Sequence, residues 1–129
     1  MRAALRLLLA LFGAVCAVIA IAHLAIGPRA IPGGVVTNAT MDSEDRFYAT
    51  LFLGFGIAVI WASRDLDARR GVLAALLLTF FTGGIARLVS WAAAGPPTPL
   101  FVILTVLELA LPPLFWLWLR VSATGRAGT

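Results

Sequence analysis

Four apolar runs, each long enough to cross a bilayer, set the terms on which this chain can fold. They extend over residues 3–26, 43–62, 71–94 and 100–119. At 1.5 Å per residue, about 20 helical residues cover the roughly 30 Å of hydrocarbon in a membrane. Within lipid every backbone N–H and C=O must be satisfied inside the segment, which selects helices or a closed barrel, and runs of this length select helices. The fold class predicted is all-α, an integral membrane four-helix bundle forming a single domain over residues 1–129, with a mobile polar tail at 121–129. Composition agrees: a chain of 129 residues that is 61% hydrophobic and 12% charged carries more apolar surface than a soluble domain of its size can bury.

A net charge of +4 would suggest nucleic acid in a soluble protein. Here most of the arginines lie in the short segments flanking apolar runs, where they act as topology signals, and no nucleic-acid partner is expected. Arg2, Arg6, Arg64, Arg69, Arg70, Arg120 and Arg126 fall on one side of the predicted membrane, Arg29 and Arg46 on the other. That bias predicts cytoplasmic termini and an outward-facing segment 27–41. All ten basic residues are arginine in a chain rich in alanine, glycine and leucine, a pattern of GC-rich bacterial genomes, so the expected location is a bacterial cytoplasmic membrane. Arg2 and Arg6 ahead of a hydrophobic stretch ending in Ala20-Ile21-Ala22 also have the outline of a secretory signal cleaved near residue 22. The lone Cys16 excludes an intrachain disulfide, and no metal or cofactor site is expected from one cysteine and one histidine.

Polar residues inside the runs are the candidates for function. Arg87 lies in Phe80–Trp91, FFTGGIARLVSW, about 24 Å along the third helix from Gly71 at 1.5 Å per residue. A membrane-embedded arginine needs a counter-charge, and Glu108, about 12 Å into the fourth helix at the same rise, is the one acid far from any loop. Thr79, Gly83 and Ser90 share a stripe with Arg87, which predicts a protein-facing side for it. His23 shares a small-residue stripe with Gly13, Ala17 and Ala20. Glu44 and Tyr48 share a face with Leu51, Gly54, Ala58 and Ala62, so Glu44 either leans inward toward the others or serves as a first-turn acid behind an N-cap at Asp42 or Ser43. Arg87, Glu108, His23, Glu44 and Tyr48 are thus expected either to frame one outward-facing polar pocket or to reduce to a structural Arg87–Glu108 pair. Pro112 and Pro113 withhold the N–H groups that would bond the carbonyls of Glu108 and Leu109, freeing two acceptors beside the acid. Asn38-Ala39-Thr40 matches a glycosylation acceptor, without meaning in a bacterium.

With His23-Leu24 before a Gly-Pro turn, Glu44-Asp45-Arg46-Phe47 opening the second helix, Gly83-Gly84-Ile85-Ala86-Arg87, and Glu108-Leu109 followed by prolines, the chain resembles the bacterial domain-of-unknown-function family four-three-four-five. The resemblance covers nearly the whole chain and implies a small four-helix membrane protein. It implies no activity.

No nucleophile elbow, phosphate loop, paired metal spacing or dinucleotide fingerprint occurs, and no catalytic residue is assigned. The function expected is therefore binding of a lipid or small hydrophobic ligand, or service as an accessory subunit in a larger membrane complex or homo-oligomer. The alternative is a membrane enzyme using His23, Glu44 or Glu108 for acid–base chemistry on a lipid-like substrate, in the manner suggested by a resemblance in outline to four-helix sterol isomerases.

Overall fold

The computed structural model describes residues 1–34 and 36–124, and is all-helical over its regular elements. Helix α1 runs Arg2–Ile26, a 3-10 turn covers Gly27–Ala30, and α2 (Ala39–Ser63), α3 (Arg70–Ala94) and α4 (Pro99–Thr124) follow. All four α-helices are long and apolar enough to span a membrane. Their outward residues are those a bilayer would cover: Val18 of α1 is 66% exposed and Leu117 of α4 60%. Left in water, such side chains would forfeit roughly 25 cal/mol for each Å² of apolar area.

Local chemistry sets the helix ends. At Gly27 φ is +62°, in the left-handed region that costs glycine little, and Pro28 then carries the chain into the 3-10 turn. Helix α2 starts earlier than expected because Asn38, and not Asp42 or Ser43, is its N-cap: the Asn38 side-chain oxygen accepts from the Met41 N–H at 3.0 Å. Asp42 falls instead within the first turn, where it meets Arg46 one turn on. Helix α3 stops at Gly95, with φ +90° ahead of two prolines. Helix α4 opens with Pro99, at a position whose N–H has no helical partner in any case.

That last helix passes through Pro112 and Pro113 and continues to Thr124. Residues 121–124, expected in a mobile tail, are therefore helical, and 125–129 lie outside the described residues.

The chain separates into two compact units, one of residues 6–65 and one of residues 1–5 with the chain from Leu66 on. Within the first, α1 and α2 meet backbone to backbone. A Cβ added at Gly13 would lie 2.6 Å from the Gly56 carbonyl oxygen, and one at Gly56 would lie 2.6 Å from that of Gly13 and 2.9 Å from the Ala17 nitrogen. This is the close approach that small residues permit between membrane helices. Phe12 sets its ring edge-to-face against Phe55, with centroids 6.1 Å apart. Arg6 closes one end of this unit by donating to the carbonyls of Ser63 and Arg64.

Within the second unit α3 and α4 pack along their length. A Cβ on Gly84 would meet the Leu109 side chain at 2.9 Å and the Glu108 Cβ at 3.1 Å. Leu73, Leu77, Phe115 and Leu119 are buried. At one end Arg2 donates to Asp67 at 2.6 Å and to the Ser122 carbonyl at 3.4 Å, while the guanidinium groups of Arg70 and Arg120 lie over the Trp116 ring at 5.4 and 6.0 Å. Arginine and tryptophan at helix ends are the usual furniture of a membrane boundary.

Candidate functional site

Gly84 brings α3 close enough to α4 for Arg87, one turn further along, to reach Glu108. Arg87 Nε donates to Glu108 Oε2 at 2.7 Å, a short charge-assisted bond. The two ends of the bond differ in surroundings. The Glu108 side chain is 11% exposed, against 38% for that of Arg87. The arginine also lies over the Phe101 ring, 5.4 Å from its centroid, where the ring face attracts the cation. One N–H of the guanidinium is thus committed to the acid, while the two amino groups, with four more donors between them, make no hydrogen bond among the described residues. Neighbouring hydroxyls satisfy themselves locally: Thr105 bonds the Phe101 carbonyl at 2.8 Å, and Thr79 that of Ala75 at 2.9 Å. The stripe expected to carry Arg87 is displaced by about one residue, since Gly84 does the packing while Thr79, Gly83 and Ser90 are exposed.

In the unit of residues 6–65, His23 near the end of α1 faces Asp45 of α2. Its Nδ1 lies 3.0 Å from both carboxylate oxygens, and the side chains are 20% and 17% exposed. A carboxylate at this distance favours the tautomer with its proton on Nδ1, and Nε2 makes no hydrogen bond among the described residues. Sequence reasoning singled out Glu44 here, as either an inward-leaning acid or a first-turn acid; in the structure Glu44 is exposed, and Tyr48 is 62% exposed with its ring edge-to-face against Phe47. The face of α2 that turns inward runs through Asp45, Ala49, Gly56 and Val59. Gly54 and Ala58 suggested a register rotated from this one, yet nothing lies within 4 Å of a Cβ at Gly54. The signal that could have found Asp45 was Gly56 itself, spaced three turns from it on the same face.

An apolar cleft of about 310 Å³ between α3 and α4 is lined by Leu77, Phe81, Pro112, Pro113 and Trp116. Among the described residues no group of three or more histidine, cysteine, aspartate or glutamate side chains could hold a metal ion.

Four bilayer-length apolar helices, two of them joined by an arginine–glutamate bond, define the class of multi-pass helical membrane proteins. Within that class the chain belongs to the family described as a domain of unknown function, DUF4345, which matches it over residues 4–119. No curated protein and no solved structure matches it.

Proposed function

We propose that the protein binds a lipid or small hydrophobic molecule with an acidic head, taken at Arg87. The observation that carries this reading is the asymmetry of the Arg87–Glu108 bond: the acid is buried, whereas the two amino groups of the arginine make no hydrogen bond among the described residues and more than a third of its side chain is exposed. A pair serving only to pin two helices has no use for an arginine with donors left unbonded, which within lipid are costly. An anion that docks on the free fork of a guanidinium already seated over Phe101 gains a bidentate contact without having to order the side chain. The arginine count further supports cytoplasmic termini and an outward-facing site in a bacterial inner membrane.

The test is native mass spectrometry of the protein extracted with its own lipids, comparing wild type with Arg87→Gln at matched thermal stability. A bound acidic species present in wild type and absent from the variant is the expected result. Equal contents would refute the reading, and a co-purifying protein in place of a lipid would favour an accessory subunit.

A second reading rests on the His23–Asp45 pair. A histidine whose Nδ1 is fixed by a carboxylate presents Nε2 as a proton acceptor, the arrangement needed for acid–base chemistry on a lipid-like substrate. Conversion of a membrane-lipid extract by wild type and not by His23→Gln would favour this reading over binding alone.

A further inference from the structure

A charged cavity of about 310 Å³ lies where α1 ends and α2 begins, wholly within the unit of residues 6–65. Its walls include Ile26 at the end of α1, Arg29 in the 3-10 turn, Val36 and Thr37 ahead of α2, and Asp42 and Arg46 in the opening turns of that helix. Arg46 forms a fixed wall. Its Nε donates to Asp42 Oδ2 at 2.8 Å, Nη2 to Oδ1 at 3.4 Å, and Nη1 to the Leu24 carbonyl. The Asp42 charge is thereby matched, and one N–H remains on each Arg46 amino group.

Gly27 makes this seating possible, because a Cβ there would collide with Asp42 Oδ1 and come within 3.2 Å of Arg46 Nη2. Arg29 differs from Arg46: it is exposed and makes no ion pair or hydrogen bond among the described residues. The cavity therefore contains two guanidinium groups against one carboxylate, an excess of one positive charge.

That excess selects an anion, and the donors select its shape. The whole fork of Arg29, the remaining N–H groups of Arg46 and the Thr37 hydroxyl can serve several oxygens approaching from different directions, which suits a tetrahedral phosphate better than a planar carboxylate. The cavity also joins the ends of two candidate spans, Arg2–Ala30 and Ala39–Ser63. Ile26 is 51% exposed and Val36 92%, so exposed apolar side chains flank the charged group, as acyl chains adjoin a lipid headgroup. We infer that this cavity binds a phosphate-bearing molecule, with Arg29 and the open edge of Arg46 holding the oxyanion and the apolar flank favouring a phospholipid headgroup over free phosphate. The site is built from residues other than Arg87 and Glu108, and neither reading depends on the other.

The experiment is calorimetric titration of the full-length protein in a neutral detergent with three probes: inorganic phosphate, dihexanoyl phosphatidylglycerol and dihexanoylglycerol, which lacks the phosphate. Each is titrated into wild type, Arg29→Gln and Arg64→Gln. The last variant removes the same charge from an exposed arginine outside the cavity and controls for general attraction to anions. Arg29→Gln should weaken binding of the phosphate-bearing probes about tenfold or more, the equivalent of one lost bidentate contact, while Arg64→Gln binds as wild type. Tighter binding of the lipid than of inorganic phosphate is the expected result and identifies a headgroup site; equal binding would support the oxyanion site and overturn the preference for a headgroup. It is overturned if wild type binds neither phosphate probe, if the two variants weaken binding equally, or if dihexanoylglycerol binds as well as the phospholipid. Should Arg29→Gln fail to fold, Arg29→Lys retains the charge without the fork and should bind more weakly than wild type; unchanged binding in that variant would also overturn the inference.

Discussion

Arg87 and Glu108 are the residues whose removal should be felt most, and unequally. Arg87→Ala leaves a buried carboxylate without its partner, at about 3 kcal/mol, the lower end of the usual range because the arginine side is partly exposed. The double change with Glu108→Ala removes the stranded charge and should cost less than Arg87→Ala alone. Unfolding in detergent, read as a double-mutant cycle, checks this, and additive losses would mean the two residues do not act as partners. This pair was legible in the sequence because each is the lone charge of its sign deep within a run, so elimination found it. Asp45 was not legible: it lies among Glu44, Arg46 and Asp42 at a helix start, where any acid passes for a first-turn residue, and only the rotation of α2 decides which of them meets His23.

That rotation is decided by glycine. Gly13, Gly56 and Gly84 sit where a neighbouring helix leaves no room for a methyl group, whereas nothing lies within 4 Å of a Cβ at Gly54 or Gly83. Gly56→Ala should therefore force α1 and α2 apart and cost about 1–3 kcal/mol, as overpacking does, while Gly54→Ala and Gly83→Ala should be neutral or gain up to about 1 kcal/mol from helix propensity. Thermal unfolding of the three variants in one detergent makes the comparison; equal effects would contradict the packing register. The number and approximate limits of the helices were readable from run length and from the Gly-Pro and Pro-rich breaks. The start of α2 was misplaced because Asn38 looked like part of a glycosylation triplet when its oxygen in fact caps the helix, and the end of α4 because Trp118 and Arg120 resemble a boundary that the helix outruns by one turn.

For the molecule as a whole, the arginine bias makes a prediction about sidedness. With Cys16, which is buried, replaced by alanine, Val36→Cys and Pro97→Cys should react with an impermeant thiol reagent on intact cells, and Ala68→Cys only after permeabilisation. The reverse pattern would invert the topology. The central claim, that the Arg87–Glu108 bond is a ligand site and not merely a clamp, turns on the sign of two responses. Arg87→Gln removes the cation that would hold an acidic head, whereas Glu108→Gln keeps the shape and hydrogen bonding of the acid but cancels the charge that competes with such a head for Arg87. The measurement is the content of bound acidic lipid or metabolite in wild type and the two folded variants, by native mass spectrometry. Loss in Arg87→Gln together with retention or gain in Glu108→Gln is the predicted result; contents equal to wild type in both would leave the pair a clamp between α3 and α4 and contradict the assignment.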